Sequence, residues 1–514
     1  MGLQVKDNKF FTVRKMKKLL RNPKLFFIDS YNKRFSKTHK MLPVLNVSTK
    51  NSNITSNRYS KEDISSPVSF ANKFINDTKQ MYQLKYDGDI YPLLNERVFK
   101  ANEESLQGFW NPLLDSDLGK GLKIEKNNTI VRHFSKVNSC KTGKIKVAVL
   151  SENFHFMKPL YQSEIVKQYI EFREVSFTEI SRGFSAQHRK FPSLDHLHTH
   201  GQLVGRGESA SDIDKVFSSF ARFFPENYET IQWADIVWAE WWVHPTVWAS
   251  RFLPDNTKLI TRCHAYEAFT YWPHFIDFER IDKNIFVGEH IKEIALESFE
   301  NFRDFDDTNN HLIRNYIDFS NFETSKTFNA RFHIGMVQWG DSNKNPLLAL
   351  QVLEKLVSID SRFKMKFAGL PFNKPTNEIE EAYQKLFEGK AAQLSSNIEF
   401  SGFVDDMNVW YKDVGFVINC SNRESQSVSV CEGAATGAIP VIKEWSMLDK
   451  FEAASKIYPG YVYSDVDSMV QSILRDNENF DRVRSNIIHK FREDFGLEKT
   501  AKQTLNLILE TMNR

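Results

Sequence analysis

Short apolar runs punctuate the chain from residue 144 onwards. Residues 144–150 (KIKVAVL) form the first of them, and similar runs recur at 235–238, 258–261 and 284–287. A second series follows at 333–337, 364–368, 398–400, 415–419 and 439–442. Continuous rather than alternating hydrophobicity is the pattern of a parallel strand covered on both faces. Helical stretches separate the runs, so two successive strand–helix series predict an α/β chain with two parallel sheets.

The first 140 residues read differently. Over residues 10–36, Phe11, Met16, Leu19 and Leu20 alternate with Arg14, Lys15, Lys17, Lys18 and Arg21 in a helical rhythm, and Asn22–Pro23 reads as the start of a second short helix. Such a basic amphipathic segment suits an anionic membrane surface, and equally suits a helix packed on the protein's own body. Residues 46–66 are polar, rich in Ser and Asn and without periodicity, as in a linker. The expected organisation is a basic arm at 1–45, a linker and unassigned extension at 46–140, α/β domains at 141–322 and 323–495, and a C-terminal helix at 496–514.

Composition narrows the class. With 514 residues, 41% hydrophobic and 26% charged, the chain is a multidomain globular protein. Net charge is +3, yet residues 1–50 hold 13 Lys/Arg against Asp7 and Asp29, so the excess is local. A basic arm that meets something anionic fits better than a nucleic-acid-binding protein. Four cysteines without metal-ligand spacing argue against a disulfide scaffold and for a cytoplasmic protein, peripheral on the inner membrane face if the arm binds lipid. No apolar run approaches the ~20 residues of a membrane span.

Ligands of parallel sheets sit beyond the carboxyl ends of their strands, and residues 419–442 (NCSNRESQSVSVCEGAATGAIPVI) carry chemistry there. Glu424 falls in the loop and Glu432 about one and a half turns into a helix starting near Ser427. A loop carboxylate accepts from sugar hydroxyls, a helical one can take both hydroxyls of a ribose, and the helix start between them suits a diphosphate.

This stretch resembles the E-x7-E motif of GT-B retaining glycosyltransferases, most closely family 4, with the tail Glu-Gly-Ala-Ala-x-Gly-x-Pro-Val-Ile. Asn315-Tyr316-Ile317-Asp318 with Phe322 resembles that family's hinge, and Gly335 to Lys344-Asn345-Pro346 its first donor-domain strand and loop. The resemblance covers roughly residues 144–510. It implies two Rossmann-like domains facing a cleft, with no metal or cofactor beyond a UDP- or GDP-linked sugar as substrate. It assigns Lys344 to the donor diphosphate, Glu432, Arg423 and Ser427 to the donor, and Phe400 and Gly402 to the base pocket. His264, in LITRCHAYE, and Glu424 become the catalytic candidates; Glu240, Arg262 and Glu267 fall on the acceptor side.

The chain departs from the pattern where Trp339 replaces the Arg expected five residues before the lysine, so Arg423 or Arg262 would have to complete the phosphate clamp. A Gly-rich turn is missing after the first strand (SENFHF), and Ser425 stands where Gly commonly follows the first Glu. His198 and His200, in HTHGQLVGRGES (198–209), lack a third metal ligand nearby and read as an acceptor-side loop. The expected activity is transfer of a sugar to a glycan or lipid-linked acceptor in cell-surface polysaccharide synthesis, as in bacterial capsule transferases. The competing readings are a non-catalytic glycan or nucleotide-sugar binder, another GT-B enzyme such as a sugar-nucleotide epimerase, and a polyol-phosphate transferase that releases CMP.

Overall fold

The computed structural model describes residues 92–94, 96–114, 143–151, 153–176, 225–253, 256–270, 272–375 and 378–512. The basic segment 10–36, the polar stretch 46–66, Cys140 and the stretch 198–209 lie outside the described residues.

The apolar runs form two parallel sheets of six strands each. The first holds β1 (Ile145–Ser151), β2 (Ile170–Ser176), β3 (Ile236–Glu240), β4 (Lys258–Cys263), β5 (Lys283–Phe286) and β6 (Asn310–Leu312), in the order β2-β1-β3-β4-β5-β6. The second holds β7 (His333–Val337), β8 (Lys364–Ala368), β9 (Ile398–Gly402), β10 (Phe416–Asn419), β11 (Ile439–Lys443) and β12 (Val462–Tyr463), in the order β12-β11-β10-β7-β8-β9. All nine predicted runs are strands. Those buried along their whole length, β3, β5 and β10, are interior strands, as burial on both faces requires.

Three strands escaped the pattern, and all are at sheet edges. In β2 only Ile170 and Val175 are buried, β6 is the polar tripeptide Asn-His-Leu, and β12 has two residues. Edge strands are covered on fewer sides, so their sequence need not be apolar.

Strand order fixes where a ligand can sit. In the second sheet the chain reverses direction of travel between β7 and β10, which pair as Phe416↔Ile334. The loops leaving these two strands therefore diverge beside one another at a topological switch point, the usual ligand crevice of open parallel sheets. They are laced together, since the Asn422 amide donates to the Asn343 carbonyl at 2.7 Å.

The halves are joined by two neighbouring chain crossings. Ile317 bridges to Gly496, and its amide donates to the Phe495 carbonyl at 2.9 Å. The helix Leu497–Met512 then returns to the first sheet, where Ala501, Leu507 and Ile508 pack with Val147, Val149, Ile236, Trp238, Ile260 and Ile285. The segment 92–114, which showed no clear period in sequence, forms a 3-10 turn (Pro92–Leu94) and two helices (Glu96–Ala101, Leu106–Leu114). Phe99 packs edge-on to Phe269, and Trp110 edge-on to His274, so the segment is docked on the first half.

Gly415, just before β10, lies so close to the 3-10 turn Ala330–Phe332 ahead of β7 that a Cβ there would be 2.2 Å from the Ala330 carbonyl oxygen. Backbone cannot yield as a side-chain tip can. Gly415→Ala is expected to lose about 1–3 kcal/mol in chemical denaturation; stability equal to wild type would show that this approach is not tightly packed.

Candidate functional site

The loop after β10 carries the motif. Ser427 occupies the N-cap position of the helix Val428–Ala435, and Glu432 is the fifth residue of that helix, so the predicted placement of both glutamates holds. Lys344 ends the short turn Ser342–Lys344 after β7, where Asp341 accepts from the Asn343 amide at 2.8 Å. Asn345 takes the left-handed conformation (φ 52°), and Pro346 opens the next helix at its first position.

These loops bring Lys344 and Glu424 together. Nζ of Lys344 lies 2.5 Å from Oε1 of Glu424, with both side chains largely buried, and Ser421 Oγ donates to the same oxygen at 2.8 Å. Asn343 Nδ2 donates to the Arg423 carbonyl at 3.3 Å and fixes the loop from the β7 side. The cation expected at a diphosphate and the carboxylate expected at a sugar thus neutralise each other in this state.

Glu432 is arranged in the opposite way. It has no ion-pair partner among the described residues; the Tyr411 hydroxyl lies 3.3 Å from its Oε2 and also donates to the Ser429 carbonyl at 2.9 Å. Burial pushes its carboxyl up to about 7, with Tyr411 opposing only weakly. A half-buried carboxylate without a cation is a group waiting for donors.

The other donor-side candidates are distributed around these three. Ser427 is buried, its amide donates to the Tyr458 hydroxyl at 2.9 Å, and its Oγ accepts from Asn419 Nδ2 at 3.1 Å, so it frames the helix start. Gly402 ends β9 with φ 64° and accepts the Gly369 amide at 2.7 Å. Phe400 is 48% exposed and lies over Phe367 (5.2 Å, 14°) and beside Trp339 (4.8 Å). Trp339 itself stacks on Phe387 at 5.3 Å and is 7% exposed. The residue replacing the expected arginine therefore belongs to an aromatic cluster, and Phe400 is its exposed edge. Neither arginine weighed as a replacement points to Lys344: Arg423 Nε donates to the Leu94 carbonyl at 3.2 Å, and Arg262 is 1% exposed against Glu240.

A second cluster lies at the carboxyl ends of β3 and β4. Glu240 is fully buried and accepts four bonds: Arg262 Nε at 3.0 Å, Arg262 Nη2 at 2.5 Å, His264 Nε2 at 2.7 Å and Trp238 Nε1 at 2.8 Å. Burial by itself would raise its carboxyl; Arg262 and His264 outweigh that and hold it near 2. Glu267, also fully buried, accepts the amides of His264 (2.9 Å) and Ala265 (2.8 Å) and closes the loop on itself. These side chains are thus directed into the protein rather than towards an acceptor. His264 is 4% exposed and stacks on Trp241 at 3.9 Å. Trp241 has φ 75°, a left-handed conformation that costs a bulky residue about 1–2 kcal/mol. Strain of this kind persists where the surroundings fix it, and it clusters at functional sites. Trp242, by contrast, is core: its Nε1 donates to Asn284 Oδ1 at 3.1 Å.

The sequence reading missed His290 and Gln426, which join the loop 420–427 to the first half. His290 Nε2 bonds the Glu424 carbonyl at 3.1 Å, and Gln426 Nε2 donates to the Asn315 carbonyl at 2.7 Å. His290 follows β5 and Glu424 follows β10, so the carboxyl ends of the two sheets meet. A lone His within a strand–loop–helix transition carries no signal in one sequence.

Among the described residues no group of three His, Cys, Asp or Glu is placed to hold a metal ion, and no helix is long and apolar enough to cross a membrane.

No family model and no curated protein sequence matches the chain. Among solved structures it is similar to TarM, described from S. aureus, at 18% identity and a TM-score of 0.41, over 53% of this chain and 54% of that one. It is also similar to Anabaena HepE in complex with UDP (12% identity, TM-score 0.47, 72% of this chain and 100% of that one) and to a glycosyltransferase from Rickettsia africae (14%, 0.48, 72% and 99%). The match spans about half the length of TarM.

Removing Arg262 would strand Glu240 as a buried charge. Arg262→Met is expected to cost about 3–5 kcal/mol in urea denaturation, with much of the loss recovered in Glu240→Gln/Arg262→Met; a loss under ~1 kcal/mol would refute the arrangement. Because Glu240 is held near 2, below its ordinary 4.5, its contribution is complete above pH 4.5 and disappears as pH falls from there towards 2.

Proposed function

We propose that the chain is a GT-B glycosyltransferase that moves a sugar from a nucleoside diphosphate, UDP- or GDP-linked, to a glycan or lipid-linked acceptor. The observation that carries this is the convergence, at the switch point of the second sheet, of Lys344, Glu424 and the start of the helix bearing Glu432. A nucleoside diphosphate-sugar presents a ribose diol, a dianionic linker and a sugar in one line. Glu432, Lys344 with the first helical amides, and Glu424 offer a matching acceptor, cation and acceptor.

The Lys344–Glu424 ion pair then has a function. The diphosphate competes for Lys344, and the Glu424 carboxylate is released to accept from sugar hydroxyls. When the bond between the anomeric carbon and the diphosphate breaks, the electron pair leaves with the diphosphate, where Lys344 and the helix start stabilise it, while the acceptor hydroxyl oxygen bonds the anomeric carbon on the same face and its proton passes to the departing phosphate oxygen. No protein nucleophile is required by this scheme, and transfer proceeds with retention. His264, stacked on strained Trp241 and fixed through Glu240, is the first-half candidate for contact with the transferred sugar; Glu240, Arg262 and Glu267 act as its frame. Phe400 and Gly402 border the base. The basic segment 10–36 fits a cytoplasmic, membrane-peripheral enzyme of cell-surface polysaccharide synthesis; loss of vesicle binding on deletion of residues 1–40 would support that, and unchanged binding would remove it.

Donor binding should report the state of Glu432. A ribose diol donates two charge-assisted bonds to a carboxylate but finds a weaker acceptor, with one oxygen protonated, in a carboxylic acid, so affinity for UDP-glucose or GDP-mannose should rise from pH 6 to pH 8, through the value near 7. Glu432→Gln should flatten that rise and weaken binding at pH 8 by about 10- to 100-fold, the scale of hydrogen bonds to a charged group. Lys344→Ala should weaken the same probes at both pH values. Full activity in Glu432→Ala would overturn the assignment.

A further inference from the structure

Among its hydrogen bonds, the loop 420–427 makes three to residues more than a hundred positions away in sequence. Arg423 reaches Leu94, the Glu424 carbonyl reaches His290, and Gln426 reaches Asn315. The His290 contact differs from the other two because its target is the residue that also carries the Lys344-bound carboxylate.

The chemistry of that contact is defined. A carbonyl oxygen only accepts, so His290 Nε2 carries the proton and Nδ1 does not. The imidazole is fully buried, and desolvation pushes it down to about 4, so it stays a neutral donor at physiological pH. Trp445 meets the ring edge-on at 5.8 Å. Gly288, beside it, is needed for the fit: a Cβ there would lie 2.6 Å from His290 Cε1 and 3.4 Å from the Ser425 carbonyl.

We propose that His290 is a positioning residue of the donor site, holding the Glu424 main chain still while the Glu424 carboxylate exchanges Lys344 for the donor. This rests on the reading of the site given above. Without this anchor, the Glu424 main chain would be held only through its neighbours, by the Asn343 bonds to Asn422 and Arg423, and could follow the carboxylate as the ion pair parted. With the carbonyl held, the change is confined to side-chain rotation, and the carboxylate stays in reach of a sugar. The anchor comes from the first half, so the donor loop is correctly placed only while the two sheets' carboxyl ends are together. His290 thereby couples their apposition to donor chemistry.

The test uses the full chain. Wild type is first titrated with UDP and GDP by calorimetry and assayed for nucleoside diphosphate release from a panel of UDP- and GDP-hexoses. His290→Leu, His290→Gln and Gly288→Ala are then compared on the donor that reacts. Loss of one buried hydrogen bond predicts a kcat about tenfold lower in His290→Leu. Its KM for donor should stay within about twofold, because Lys344 and Glu432 still bind the nucleotide. His290→Gln, which keeps an N–H donor, should recover most of kcat, and Gly288→Ala should resemble His290→Leu even if the latter fails to fold. Amide exchange across 420–427 should rise in His290→Leu and not in His290→Gln. Unchanged kcat and exchange in His290→Leu, or equal losses in the Leu and Gln variants, would overturn the inference. Wild type that binds neither nucleotide and releases none would overturn the function itself, and the inference with it.

Discussion

A parallel strand buried on both faces cannot present chemistry along its length; it can only deliver it at its end. β10 is such a strand, buried from Phe416 to Asn419, and the residues after it are almost all polar. Those residues leave a dry sheet and must satisfy their own backbone and side-chain groups within a few ångströms. They do so with partners from everywhere around them: the β7 loop, the 92–94 turn, the helix start after β5 and the inter-half crossing at Asn315. The site is therefore a property of the whole assembly of strand ends and not of one motif.

Two glutamates, Glu240 fully buried and Glu432 half-buried, show how the same residue type is put to different uses. Glu240 receives four donors, two from a guanidinium, and its charge is compensated inside the protein. Such a cluster orders His264 and Trp241 and has little capacity left for a ligand. Glu432 has one hydroxyl nearby and no cation among the described residues, so desolvation governs it. The first is a fixed frame and the second is poised to bind. Between them stands Lys344–Glu424, compensated but only by a partner that a more highly charged anion can take away.

Interior strands were legible because burial on both faces demands a continuous apolar run, and the helix start near Ser427 was legible from the polar loop and the Gly437–Pro440 exit that bracket it. Edge strands β2, β6 and β12 were not, since their exposure relaxes that demand. The pairing of Lys344 with Glu424 followed from strand order, which no local pattern encodes. The internal use of Arg262, Glu240 and Glu267 was hidden for a related reason: a charged residue after a strand looks alike whether it turns outward or inward. Trp339 was read as a gap in a phosphate clamp, whereas its contacts with Phe367, Phe387 and Phe400 make it a packing residue. His290 and Gln426 gave no signal, because their importance lies in partners more than a hundred residues away.

The proposed reaction breaks the bond between a sugar's anomeric carbon and a nucleoside diphosphate. Identifying the nucleotide released when the full chain is incubated with UDP-, GDP- and CDP-linked donors and a glycan acceptor tests it most directly. The account predicts UDP or GDP, formed in step with glycosylated acceptor. Release of CMP, or binding of donor with no nucleotide released, would contradict it.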